Sequence, residues 1–373
     1  MKVGIVCAFD TYFDRVALLK EFYQKRAQVK VIASDFSHRK KEKNRESSLV
    51  DEWIDTKPYY KNLSVARLTS HYDFSKKAEK LLETETWDVL HVFVPCNSLV
   101  KFMALIKHKQ PKTKLIFDLI DLWPETMPIS KFKSVFPFTL WKQIRDKDLD
   151  QADLIFTECK LYQQVLQKED NEKYKVLYWA RQEKPLESHL QIKDIELSFC
   201  YLGSMNHIID IDFIEKFLSA CQQYRPVTLH LIGDGESKEQ LIQNVKRKGV
   251  QVIDHQKVYD QKKKQEIFDQ CNYALNVMKK SVVVGLTMKS LDYMCGQIPL
   301  INTIGGDTRE FCETCNIGFH VAFDQIEFYA QKVCTQTLQE QYEQRKQIKH
   351  LYETVFTKDS FFKTMQDAWE KLI

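Results

Sequence analysis

Short apolar runs alternate with longer amphipathic segments along the whole of this chain, which is the pattern of parallel sheets built from βαβ units. In the first half the runs Val3–Ala8, Val29–Ser34, Val89–Val94, Lys114–Leu119, Leu154–Thr157 and Lys175–Trp179 predict strands. Several are near-continuous Val, Ile, Leu and Phe, as strands covered on both faces require. The polar stretch Arg181–Asp194 contains a proline and has no periodicity, so it predicts a linker. The alternation then restarts. Strands are predicted at Leu197–Leu202, Val227–Ile232, Val250–Ile253, Tyr273–Val277, Pro299–Asn302 and Phe319–Phe323, with helices at Asp212–Tyr224, Lys238–Lys248 and Met288–Gly296. Beyond Phe323 the pattern is helical, and Asp359 or Ser360 is placed to cap a last helix with Phe361, Met365, Ala368 and Leu372 on one stripe. The expected class is α/β, two similar sandwiches in tandem over residues 1–184 and 195–355, with a closing helix over 356–373 that packs back on the first.

Composition narrows the partners. A chain of 373 residues, 44% hydrophobic and 12% aromatic with only 10 Gly and 9 Pro, is neither a disordered tail, a collagen nor a disulfide scaffold. Its 55 basic and 51 acidic residues balance too closely for a bulk nucleic-acid binder. The opening MKVGIVCAFDTYFDRV has no small-residue cleavage site and no stretch is long and uncharged enough to span a bilayer, so a cytoplasmic protein is expected. The scattered cysteines suit reduced, buried thiols, and the lone Cys312 and Cys315 pair lacks the second pair a zinc site would want. His91 and His230 fall within strands and read as core residues rather than metal ligands.

In open α/β sheets, ligands bind beyond the carboxyl ends of the strands, and two such sheets are expected to face each other across a central cleft. The dinucleotide fingerprint is missing after the first strand, which argues against a nicotinamide or flavin enzyme. After the second strand of the second half comes Gly233-Asp234-Gly235-Glu236, where glycines would let backbone approach a ligand. The stretch from Asn276 to Glu310 is richer. There Lys279 and Lys280 precede Gly285-Leu286-Thr287 and a helix that carries Lys289 and Asp292 on one face. A helix start beside a glycine, with lysines around it, suits a diphosphate, and a carboxylate one turn further in suits ribose hydroxyls. The same residues also fit a surface Lys289–Asp292 ion pair with Gly285 as a plain cap.

The order YLGSM, LHLIGDGESKEQL and VGLTMKSLDYMCGQIPLINTIGGDTREF resembles the nucleotide-sugar-binding half of GT-B glycosyltransferases, most closely the retaining family 4 enzymes of bacterial polysaccharide assembly. DLIDLWPE resembles that family's aspartate–tryptophan–proline–glutamate signature, and AFDTYFDRV with SDFSHRKK its amino-terminal blocks. The resemblance implies a nucleotide diphosphate-sugar donor, no metal, and a lipid-linked or oligosaccharide acceptor. It sets Asp292 at the second glutamate of the family's E-x7-E motif, whereas the first falls on Val284. The usual Arg and Lys after the first glycine are also missing, since Gly203 is followed by SMNHIID, and the usual His of the DLWPE block is Ile120. The two flanking carboxylates, Asp118 and Asp121, are the expected catalytic groups, orienting an acceptor hydroxyl or taking its proton. Arg15 and Trp123 are the expected acceptor contacts, although Arg15 could instead pair with Asp14 or Asp10. A GT-B-shaped epimerase and a non-catalytic binding subunit stay open as alternatives.

Two basic segments suggest peripheral contact with an anionic membrane at its inner face. One is His38-Arg39-Lys40-Lys41 with Lys43 and Arg45; the other runs from Lys131 and Lys133 through Phe136, Phe138, Trp141 and Lys142. A solvated loop and a buried aromatic cluster are the alternative reading.

Overall fold

The computed structural model describes residues 1–127, 136–181, 184–192 and 195–373, and its contacts divide the chain into two units, Met1–Ala180 with Lys358–Ile373 and Arg181–Thr357. In the first unit the continuous apolar runs become β1 (Lys2–Cys7), β2 (Gln28–Ser34), β6 (Val89–Val94), β7 (Lys114–Leu119) and β8 (Leu154–Thr157). Between β2 and β6 lie three short strands the pattern did not reveal, β3 (Phe36–Ser37), β4 (Glu42–Lys43) and β5 (Glu52–Ile54), and β9 (Tyr174–Val176) closes the far edge. The sheet is parallel, in the order β5-β2-β1-β6-β7-β8-β9, and β3 and β4 form a separate antiparallel hairpin. Every residue of β6 is buried, as expected for a strand with helices over both faces. Those helices are α1 (Phe13–Gln24), α2 (Val65–Leu82), α3 (Asn97–Lys109), α4 (Phe138–Leu149) and α5 (Lys160–Leu166).

The second unit repeats the plan with a six-stranded parallel sheet in the order β12-β11-β10-β13-β14-β15. Its strands are β10 (Leu197–Leu202), β11 (Val227–Ile232), β12 (Gln251–Asp254), β13 (Tyr273–Asn276), β14 (Leu300–Asn302) and β15 (Gly318–His320). Its helices are α6 (Ile211–Gln222), α7 (Lys238–Arg247), α8 (Gln261–Asp269), α9 (Met288–Cys295), α10 (Gly306–Cys315), α11 (Ile326–Thr335) and α12 (Leu338–Val355). In both sheets the chain first builds outward on one side of its opening strand and then returns to the other. The order therefore reverses between β1 and β6 in the first sheet and between β10 and β13 in the second. Such a reversal leaves a crevice at the carboxyl ends of the strands.

The last helix, α13 (Lys358–Leu372), belongs to the first unit. Phe361, Met365 and Ala368 are buried, while Leu372 is not; Phe362 and Trp369 complete the contact by packing on Phe22 of α1 with ring centroids 5.9 and 6.4 Å away. Asp359 and Ser360 lie inside the first turn rather than at the cap.

Candidate active site

Over the reversal point of the second sheet stands Lys289. Its Nζ lies 3.4 Å from the Tyr201 hydroxyl, near the end of β10, and 3.5 Å from the Val277 carbonyl, just past β13. It also stands 4.8 Å from the centre of the Tyr201 ring. No carboxylate among the described residues pairs with it, and burial pushes its pKa down to about 7. The helix that carries it is pinned from below. Thr287 caps α9 by accepting from the Ser290 amide, and Asn276 at the end of β13 donates 3.0 Å to the Ser290 hydroxyl and 2.9 Å to Asn302. Capping leaves the amides of Met288 and Lys289 unused within the helix, as in any first turn.

Asp292 sits one turn further in but does not pair with Lys289. Its Oδ1 is 3.2 Å from Arg181 and 3.5 Å from Lys264, in a pocket that also includes Tyr259, Phe268 and Gly296. Lys279 and Lys280 are exposed beside this region. Gly285 and Leu286, expected to meet the donor, are buried instead. The Gly285 carbonyl accepts from both the amide and the hydroxyl of Thr308, at 2.9 and 2.6 Å, so the pair anchors the helix start from beneath. Gly233 also serves packing. At φ +134° a Cβ would lie 2.1 Å from the Gly203 carbonyl oxygen, so glycine is what lets the two strand-end loops close on each other.

At the strand ends of the first unit the structure corrects two assignments. Arg15 and Asp118 are 0% exposed and bind each other through two bonds, Nε to Oδ2 at 2.8 Å and Nη2 to Oδ1 at 2.9 Å. His91 stands 3.4 Å from Asp118 and 2.9 Å from the Tyr23 hydroxyl. Burial would raise the Asp118 pKa, but Arg15 and His91 outweigh it and hold the carboxyl below the usual range. Arg15 is therefore not an acceptor contact, its partner is neither Asp14 nor Asp10, and Asp118 is not free to handle a proton.

Asp121 differs. It is half-buried, accepts from the Tyr12 hydroxyl at 2.8 Å, and has its pKa pushed up to about 6 by burial, against the opposing pull of Tyr12 and Arg67. Beside it Glu158, which directly follows β8, is raised well above the carboxylate range by burial and by the charge of Asp121. Trp123 lies in an aromatic cluster with Phe9, His71 and Trp141, and the Arg67 guanidinium carbon stands 4.1 Å from its ring centre. Sequence reasoning missed Glu158 and Arg67. The position of Glu158 at a strand's carboxyl end was a usable signal; Arg67, inside an ordinary amphipathic helix, offered none.

Part of the positive charge of the basic segments is paired within the fold. Lys43 and Arg45 pair with Asp35 at 2.8 and 3.0 Å, and Lys142 pairs with Glu125 at 3.0 Å as well as with Asp146. Phe136 is exposed and Trp141 buried, while Lys131 and Lys133 lie outside the described residues. No helix among the described residues is long and apolar enough to cross a membrane, and no group of three His, Cys, Asp or Glu side chains among them is set to hold a metal.

Residues 196–337 match the family model for glycosyl transferases group 1. No curated protein matches the chain. Among solved structures, the lipopolysaccharide outer core galactosyltransferase WaaB in its apo form is similar over 100% of both chains, with a TM-score of 0.72 at 14% identity. Anabaena HepE in complex with UDP and glucose covers 100% of both chains with a TM-score of 0.62 at 12% identity. A TarM variant from S. aureus, in complex with UDP among other ligands, covers 98% of this chain and 99% of its own with a TM-score of 0.64 at 8% identity. Residues 196–337 thus resemble the glycosyl transferases of group 1, and the chain as a whole has the fold of the GT-B glycosyltransferases.

Proposed function

We propose that this chain, a glycosyltransferase of GT-B type, moves a sugar from a nucleoside diphosphate donor held by its second unit to a glycan acceptor held by its first. The observation that carries the reading is Lys289, a cation without a carboxylate partner over the reversal point of the second sheet. A donor diphosphate there would meet its ammonium group and the unused amides of Met288 and Lys289, and the same groups would offset the charge that grows on the diphosphate as it leaves. This reading asks for no metal ion, because that positive charge comes from the chain itself. Asp292, with Arg181 and Lys264, suits the ribose. Val284, half-buried just ahead of the helix, offers the hexose no carboxylate, so its hydroxyls must be met by other groups.

The acceptor hydroxyl attacks the anomeric carbon as the bond to the diphosphate breaks. With retention, its proton passes to the departing phosphate, and Asp121, ionised above about pH 6, orients the hydroxyl. The acceptor is a lipid-linked or oligosaccharide chain of a cell-surface polysaccharide, approached from the cytoplasmic side, and exposed Phe136 together with Leu140 and Ile144 on α4 is the apolar surface that a membrane edge would meet.

Calorimetric titration with UDP tests the donor site. Wild type is expected to bind, and Asp292→Ala to bind about tenfold more weakly without losing its fold. Absence of binding by UDP and by every other nucleoside diphosphate, or unchanged affinity in Asp292→Ala and Lys289→Met alike, would overturn the reading.

A further inference from the structure

The reversal point of the first sheet holds four nitrogen-bearing side chains, Arg67, His71, His38 and Lys41, none of which is ion-paired to a carboxylate among the described residues. Arg67, in the first turn of α2, is 3% exposed. Its Nε donates to His71 Nε2 at 3.4 Å and its Nη1 to the Asn62 carbonyl at 3.0 Å, but its Nη2 is buried without any partner. His71 is 5% exposed, and burial together with the Arg67 charge keeps it neutral. Because it accepts at Nε2, its proton sits on Nδ1, and that atom too is buried without a partner. Two donors are therefore left unsatisfied within one cluster, a cost to folding that an acceptor from outside would relieve.

The cluster has an open end. Lys41 is partly exposed, bonded to Asn62 Oδ1 at 2.7 Å and poised 4.8 Å above the Tyr59 ring. His38, bonded to the Tyr59 hydroxyl at 2.6 Å, is pushed down to about 4 by burial and by the charges of Arg67 and Lys41. Of the nearby carboxylates, Asp121 accepts from Tyr12 and Asp10 from Ser37, while the second Asp10 oxygen is buried without a partner. No carboxylate among the described residues is bonded to any of the four side chains.

We propose that Arg67, His71 and Lys41 receive a phosphate group carried by the acceptor. Two permanent positive charges and separate N–H donors match a group of three terminal oxygens with a charge near −2, better than they match the single charge of a carboxylate. The phosphate would enter past Lys41 and His38 and reach the two buried donors beneath, with Trp123 walling the site under the guanidinium. The word acceptor rests on the glycosyl transfer proposed above; the binding itself does not.

The test is calorimetric titration of the full chain with inorganic phosphate. With saturating UDP present, so that the proposed donor site takes none of the phosphate, wild type is expected to bind, Arg67→Gln at least about tenfold more weakly, and Lys41→Gln several-fold more weakly. Absence of phosphate binding in wild type or unchanged affinity in Arg67→Gln overturns the proposal. Circular dichroism monitors folding; if Arg67→Gln does not fold, unchanged affinity in the partly exposed Lys41→Gln overturns it instead. Phosphatidylcholine vesicles with and without phosphatidic acid identify the source. Binding that follows phosphatidic acid and is lost in Lys41→Gln assigns a lipid phosphate, while binding of free phosphate alone assigns a soluble one. Failure of the donor reading appears separately, as lost UDP binding with phosphate binding intact.

Discussion

The two sheets reverse their strand order in the same way, yet the residues at the two reversal points follow opposite strategies. In the second unit the strand-end loops close through glycine, at Gly203 and Gly233, and one lysine is left above them with no carboxylate partner among the described residues. In the first unit the strand ends are crowded with large side chains: a buried Arg15–Asp118 pair, two further carboxylates in Asp121 and Glu158, and an aromatic cluster around Arg67. Backbone that approaches closely and a single cation suit a constant chemical group such as a diphosphate. A dense set of fixed side chains suits a more particular partner. One topology thus carries two different fillings of its strand ends, and on the function proposed above the sparser takes the donor and the denser the acceptor.

The largest effect that would sharpen this contrast is on the first unit's ion pair. Removing either partner, in Arg15→Met or Asp118→Ala, leaves a buried charge uncompensated and is expected to cost about 3–5 kcal/mol in chemical denaturation. Replacing both by apolar groups, in Arg15→Met with Asp118→Leu, is expected to recover most of that loss; failure to recover would mean the pair does more than hold the unit together. Next is Lys289→Met. Because the native state holds this proton less tightly than the unfolded chain, the lysine is a burden fully present below about pH 7 and relieved as pH rises toward 10.5. Methionine is expected to raise the melting temperature most at pH 6 while weakening UDP binding about tenfold or more. A variant less stable at pH 6 would deny that the lysine is kept for a ligand.

Asp121→Asn probes the other unit with a smaller effect. The raised carboxyl pKa means that the native state holds a proton between the ordinary value of 3.8 and about 6, so the aspartate loses stability as pH rises through that window. Asparagine is expected to gain about 1–2 kcal/mol at pH 7 and nothing below the ordinary aspartate range, with turnover reduced. Equal stability at every pH would place Asp121 in a more hydrated setting. Smallest is the pH dependence of donor affinity: a bound diphosphate favours the charged lysine, so UDP binding should take up a proton and weaken by up to about tenfold per unit above pH 7.

Much of this was legible in the chain. Strands such as β6 and β10 announce themselves because burial on both faces leaves only one polar position in each, and the start of α9 is visible because a Thr cap follows a glycine. The hairpin of β3 and β4 and the three-residue β5 were not, since strands so short carry no periodicity to detect. The sequence sets Lys289 and Asp292 on one helix, where the structure has them, but does not show that Gly285 and Leu286 are buried, because that depends on Thr308 in a different helix. The Arg15–Asp118 pair spans 103 positions, and local pattern says nothing about contacts at that range. Arg15 looked available for a substrate for the same reason that Arg67 looked ordinary: neither a buried partner nor its absence is written in the neighbouring residues.

The placement of α13 sets an order of manufacture. The first unit owns residues at both ends of the described chain, so Phe361 and Trp369 reach the surface of α1 only after the whole intervening unit has left the ribosome. The part synthesised first is the part finished last, and until then Phe22 lacks the two rings, Phe362 and Trp369, that pack on it.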